Sequence, residues 1–110
     1  MLRVAIIRCQ QTEDMCPGTT DFKVAREGMA AFETTGAVEI VGFVSCGGCP
    51  GKRAAARAKM MVERGAQAIA LASCIVKGTP IGFACPHAQV LVEAVRRRVG
   101  PDIPILDYTH

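Results

Sequence analysis

Aromatic side chains are scarce: the 110 residues include no tryptophan, one tyrosine and four phenylalanines. A core must therefore be built from Val, Ile, Leu, Ala and Met, and half of the residues are apolar, which is enough for one core. The length suits one domain, and no repeat or linker divides the sequence. Residues 1–110 are predicted to form a single domain.

The chain also lacks a large net charge of either sign. The 13 basic and 10 acidic side chains leave a net charge of +3, which does not call for a polyanionic partner. The densest basic run, residues 96–98, closes a predicted helix, where cations complement the helix dipole. No aromatic residues are interleaved with this run, so a nucleic-acid partner is not expected.

Long hydrophobic runs are absent as well. Residues 66–82 carry a single charge, but their polar and turn residues argue against a membrane span of about 20 apolar residues. The first eight residues are too short, and too interrupted by arginine, to be a signal peptide. The expected compartment is the cytoplasm, where cysteine-rich sequences bind metals or do redox chemistry more often than they form structural disulfides.

Short apolar runs alternate with amphipathic segments along the chain. The apolar runs predict four strands, at residues 2–8, 38–45, 66–73 and 103–106. The amphipathic segments predict three helices, at residues 21–34, 52–64 and 86–99. This βαβαβαβ order predicts an α/β domain with a four-stranded parallel sheet in order 2-1-3-4 and helices on both faces. The open edges of such a sheet would allow a homodimer.

The sequence does contain six cysteines and two histidines, and every cysteine lies outside the interior of a predicted helix or strand. Cysteines follow the first three predicted strands, and a histidine follows the fourth. Because the carboxyl ends of parallel strands meet at one edge of a sheet, these side chains are expected to lie together. The candidate metal ligands are Cys9, Cys16, Cys46, Cys49, Cys74, Cys85, His87 and His110.

The C-x2-C pair formed by Cys46 and Cys49 has a spacing that suits two thiolates on one tetrahedral ion. The same spacing is typical of dithiol redox centres. Cys49 and Cys85 each precede a proline, a residue favoured at the first position of a helix, so both cysteines are predicted to cap helices. The helix dipole would stabilise a thiolate at such a cap.

Eight candidate ligands exceed the needs of one tetrahedral ion, so several functions stay open. Zinc is the first metal expected, because it accepts both thiolate and imidazole ligands. An iron–sulfur cluster is the second, although none of the familiar cluster spacings occurs. The alternatives are thiol–disulfide exchange at Cys46 and Cys49, and an anion- or small-molecule-binding module in which the cysteines only shape the crevice.

The hexapeptide Cys46–Gly51, placed after a strand, resembles the signature of the CGGC-domain family. The resemblance covers nearly the whole chain and includes Cys9 and Cys16, Ala72-Ser73-Cys74, Cys85-Pro86-His87 and Thr109-His110. Members of this family are small bacterial or archaeal proteins whose many Cys and His residues indicate binding of zinc or another metal. The resemblance therefore implies metal binding, and it implies no particular reaction.

Overall fold

A single sheet organises the computed structural model, which describes residues 1–110. Its four strands are all parallel and lie in the order β2-β1-β3-β4. They are β1 (Arg3–Arg8), β2 (Glu39–Ser45), β3 (Ala68–Leu71) and β4 (Ile105–Leu106). The predicted fold class and strand order are confirmed. The apolar run of β1, residues 4–7, is completely buried because this strand lies inside the sheet.

Four helices connect and cover the strands: α1 (Thr19–Glu27), α2 (Lys52–Glu63), α3 (Ser73–Val76) and α4 (Ala88–Val99). Helices α2 and α4 pack against each other, with Ala54 and Ala58 buried from α2 and Leu91 from α4. Right-handed crossovers place α1 on the opposite face of the sheet. No helix combines the length and apolar character that crossing a membrane requires.

The predicted first helix, residues 21–34, is wrong in its extent. Helix α1 ends at Gly28, which has a φ of +65°, and a Cβ at this position would lie 2.8 Å from the backbone nitrogen of Ala37. The chain then turns and forms a separate 3-10 segment, Ala30–Glu33, which buries Phe32. Met29, at the turn between the two segments, is exposed.

The predicted helix caps are also wrong. Helix α2 is capped by Gly51 and α4 by His87, so Cys49 and Cys85 each lie two residues before the cap. Gly51 adopts a φ of +86°, and a Cβ there would lie 2.8 Å from a methyl carbon of Leu91. The close approach of α4 therefore fixes the start of α2, which the cysteine–proline pattern does not reveal.

Candidate thiol site

Cysteines follow three neighbouring strands at the carboxyl edge of the sheet. Cys9 comes directly after β1 and Cys46 directly after β2. Cys74 was predicted in a loop but lies in the short helix α3, which begins soon after β3. The backbone N–H of Cys9 donates a hydrogen bond to the Cys74 sulfur over 3.2 Å. All six cysteines are free thiols.

Four cysteines line one cavity of about 360 Å³, which we call the thiol cavity. The four are Cys9, Cys49, Cys74 and Cys85, and the rest of the wall is formed by Gln11, Met15, Ile81, Phe83, Ala84 and Pro86. None of these residues is charged. Three apolar side chains of the wall are exposed, with Met15 at 57%, Ile81 at 40% and Phe83 at 71%. The cavity thus combines soft sulfur donors with an apolar mouth.

Burial governs the protonation of two of these thiols. Removal from water raises the pKa of Cys74, against a lowering by hydrogen bonds from the backbone N–H of Cys9 and the hydroxyl of Thr12. Burial likewise raises the pKa of Cys9, and the neighbouring thiols of Cys74, Cys46 and Cys85 raise it further, while a backbone hydrogen bond from Gln11 lowers it. Since these thiols influence each other's charge, they form one electrostatic group.

The rate at which Cys74 is alkylated is expected to depend on pH at higher pH values than for an ordinary thiol. Only the thiolate reacts, so the rate with iodoacetamide should keep rising through and beyond the ordinary pKa of 9.0. The Cys74 thiol loses its proton at a lower pH in the unfolded chain than in the folded chain. Its contribution therefore lowers the free energy of unfolding as the pH rises through 9.0. Peptide mapping by mass spectrometry, with the exposed Cys49 as the reference, would measure the rate. A Cys74 rate that levels off below pH 9.0 would contradict this expectation.

A second, polar cavity of about 230 Å³ adjoins the first, and Cys74 and Met15 lie in both walls. Its polar lining comes from Arg8, Thr12, Cys16, Thr19, Thr20, Asp21, Thr79 and His110. The Arg8 guanidinium is held in place because it donates to the Cys16 carbonyl over 2.6 Å and to the Thr12 hydroxyl over 3.3 Å. This cationic group lowers the pKa of Cys74, although less than burial raises it.

A buried hydrogen-bonded network joins α1, α3 and the end of the chain. The Thr109 hydroxyl donates to the Asp21 carboxylate over 2.5 Å, and His110 Nε2 lies 3.6 Å from the same carboxylate oxygen. The Ser73 hydroxyl accepts the backbone N–H groups of Thr109 and His110 over 3.1 and 2.9 Å. Asp21, which is not among the candidate ligands, is a buried acceptor that lies against His110 beside the polar cavity.

The other four predicted ligands lie outside the wall of the thiol cavity. Cys16 and His110 line the polar cavity. Cys46 is 7% exposed and lines neither cavity, but its charge affects Cys9. His87 also lines neither cavity, and its backbone N–H donates to the Cys85 sulfur over 3.4 Å. The structure therefore brings four of the eight predicted ligands to one cavity.

The donor atoms of the thiol cavity suit a metal ion, but their present arrangement does not. Thiols are the donors that zinc and other soft ions prefer. No three His, Cys, Asp or Glu side chains are arranged as a group that could hold a metal ion. The donors share one cavity without converging on one point, so a tetrahedral ion would require cysteine side chains to reorient.

Several residues of the two cavities were missed by the sequence analysis. Ile81, Phe83 and Met15 lie in connections between the predicted helices and strands and are not among the candidate ligands. Arg8 was assigned only to the end of a strand, yet its side chain reaches the polar cavity. Nothing in the residue pattern reveals these contacts, because they join loops that are distant in sequence.

Comparison with known proteins agrees with the sequence resemblance. A family model described as the CGGC domain matches residues 3–110. The chain is 37% identical over 115 aligned positions to a protein of Methanocaldococcus jannaschii that is described as uncharacterized. That alignment covers 99% of this chain and 87% of the relative. No solved structure matches the chain.

Proposed function

The chain belongs to the CGGC-domain family, and from this premise we propose that it binds a soft metal ion, zinc first, through the cysteines of the thiol cavity. The observation that carries the proposal is the set of four cysteines that share this one cavity. Cys9 and Cys74 are in direct contact, and Cys49 and Cys85 complete the set from two further connections.

Thiol donors at this density favour a soft ion over a hard one. Carboxylates, which hard ions such as magnesium prefer, are absent from the cavity wall. Cys9, Cys49 and Cys85 lie in loops and Cys74 lies in the short helix α3, so none of the four is part of a strand, and rotation of their side chains does not require a strand to move. Binding would then fix several loops at once and couple metal affinity to local stability.

Four of the predicted ligands lie outside the thiol cavity, and a site with four thiolates is complete without them. They are Cys16, Cys46, His87 and His110. Their positions make Cys16 a useful control, because it is a partly exposed thiol that lines the polar cavity only. An iron–sulfur cluster is the alternative cofactor, since it also requires four thiolates.

Metal content after anaerobic purification without a histidine tag tests the proposal. We expect stoichiometric zinc and a colourless protein, whereas broad visible absorbance would indicate a cluster. Replacement of Cys9 or Cys49 by serine should lower zinc affinity by about tenfold or more, since loss of one thiolate weakens a structural site strongly. Chelation should lower the melting temperature of the wild type.

Replacement of Cys16 by serine provides the matched control, with zinc affinity and melting temperature expected to stay near the wild-type values. Equal affinity in the Cys9→Ser, Cys49→Ser and Cys16→Ser variants would show that the thiol cavity is not the site. Identical melting of the metal-loaded and chelated proteins would remove the predicted coupling to folding.

A second candidate function, thiol–disulfide exchange, is favoured by the unequal exposure of the C-x2-C pair. Cys49 is exposed and Cys46 is buried, which suits an attacking and a resolving thiol. The Cys49 thiolate would attack a small-molecule disulfide and release one thiolate. Cys46 would then displace the second thiolate and form the Cys46–Cys49 disulfide. Paired loss of these two thiols on addition of oxidised glutathione, in a protein free of metal, would select this function.

A further inference from the structure

We propose that the thiol cavity also binds a trivalent arsenical that carries one apolar organic substituent, through the sulfurs of Cys9 and Cys74. The inference rests on the proposed function, because it requires the cavity to bind thiophilic centres. It goes beyond that function by naming the chemical class of ligand that the wall and the donors fit together.

The number of available donors is the first argument. No three metal-ligating side chains are arranged to hold one ion. A centre that needs only two sulfurs avoids this difficulty, and an arsenic atom with one carbon substituent has two valences left for thiols. Cys9 and Cys74 are candidates for such a pair, because the Cys74 sulfur lies 3.2 Å from the backbone nitrogen of Cys9 and the charge of Cys74 affects the Cys9 thiol. Both residues line the thiol cavity.

The wall of the cavity is the second argument. It carries no charged side chain, and Ile81, Phe83 and Met15 form an exposed apolar surface next to the sulfurs. An exposed apolar patch beside a concave site is typical of a binding surface. A volume of about 360 Å³ accommodates a small organic group together with its arsenic atom. The organic substituent would bury this surface, which a bare metal ion leaves exposed.

Charge balance is the third argument. The wall of the thiol cavity carries no charged side chain, so a neutral occupant suits it. An organoarsenic centre bound to two sulfurs is neutral. Its formation is a condensation in which R–As(OH)2 reacts with two thiols. Two arsenic–oxygen bonds break, two arsenic–sulfur bonds form, and two water molecules leave. No atom changes its oxidation state, so no oxidant or reductant is required.

Calorimetric titration of the reduced, metal-free protein with phenylarsine oxide, monomethylarsonous acid and zinc tests the proposal. Phenylarsine oxide hydrates to R–As(OH)2 and differs from the methyl compound in the size of its apolar group. We expect one equivalent to bind, with the phenyl compound binding about tenfold more tightly than the methyl compound, because the larger group buries more apolar surface. Native mass spectrometry and a thiol titration should show loss of two thiols per bound arsenic.

Matched variants measure the contributions of the apolar wall and of the sulfur donors separately. Phe83→Ala should reduce the preference for the phenyl compound over the methyl compound to about threefold or less, because the phenyl ring loses most of its apolar partner. Val90→Ala is the control, since Val90 on α4 has the same 71% exposure as Phe83 but lies outside the cavity. Cys9→Ser should weaken both arsenicals by at least about a hundredfold, since one of two covalent attachments is lost, and Cys74→Ser provides a second, independent test of the donor pair.

The outcomes distinguish this inference from the function on which it rests. Equal affinity for the phenyl and methyl compounds, together with tight zinc binding, would overturn the inference and leave the proposed function intact. Loss of the phenyl preference in Val90→Ala as well as in Phe83→Ala would also overturn it. If neither arsenical nor zinc binds, both the inference and the proposed function fail.

Discussion

Replacement of Gly78 by alanine is expected to disrupt the thiol cavity and to lower the free energy of unfolding by roughly 2–4 kcal/mol. Gly78 has a φ of +79°, and a Cβ there would lie 2.4 Å from the backbone nitrogen of Ala84 and the backbone carbon of Phe83. The clash is with backbone atoms, so it cannot be relieved by a side-chain rotation. The connection that carries Phe83 and Cys85 must therefore move.

The neighbouring Gly82→Ala variant is the control for this effect. Gly82 lies in the same connection with a similar φ of +80°, but a Cβ there has no atom within 4 Å. Its substitution should cost about 1–2 kcal/mol, which is the strain of the left-handed conformation alone. Urea unfolding measures the stability of both variants, and zinc titration measures the cavity. Equal losses of stability and affinity in the two variants would show that the backbone contact at Gly78 is unimportant.

Replacement of Ser73 by alanine is expected to lower the free energy of unfolding by roughly 2–5 kcal/mol, because several buried groups lose their partner together. The Ser73 hydroxyl accepts from two consecutive backbone N–H groups and donates to a main-chain oxygen of His110 over 2.9 Å. Ser73 and Thr109 are completely buried and His110 is partly buried, so water replaces these bonds poorly. Hydrogen exchange should show residues 109 and 110 losing protection first.

Ser45→Ala is the matched control, since Ser45 also lies at the carboxyl end of a strand. Its hydroxyl accepts from Arg57 over 3.0 Å and from the backbone of Gly47 over 3.3 Å, and the site is only partly buried. The expected loss is about 0.5–1.5 kcal/mol. If the two serine variants unfold at the same urea concentration, the network around Ser73 adds no stability beyond an ordinary hydrogen bond.

The sheet could be predicted from the sequence because its signals are local. The apolar run of β1 and the β-branched run of β2 mark strands that lie where expected, and the alternation with helices implies the parallel order. Helix boundaries were less accurate. The end of α1 depends on the close approach of Gly28 to Ala37, and the start of α2 depends on contact between Gly51 and Leu91. These contacts arise only when the chain has folded.

The candidate site could be predicted in its location but not in its composition. Cysteines that follow parallel strands must meet at one edge, and this argument correctly placed Cys9 and Cys74 together. The apolar part of the wall, with Phe83 and Met15, carries no sequence signal, because exposed apolar residues in loops are common. The role of Ser73 was equally hidden, since its partner Thr109 lies 36 residues away.

Cys74 lies in the walls of both cavities, so the two cavities share this residue. An occupant bonded to the Cys74 sulfur from the apolar side alters the wall that a solute meets from the polar side. Two solutes that both require Cys74 therefore compete even though they occupy different spaces. Thermodynamic reciprocity requires that each weaken the binding of the other by the same factor. A solute in the polar cavity that requires Cys74 would therefore change the affinity of the thiols for their own ligand.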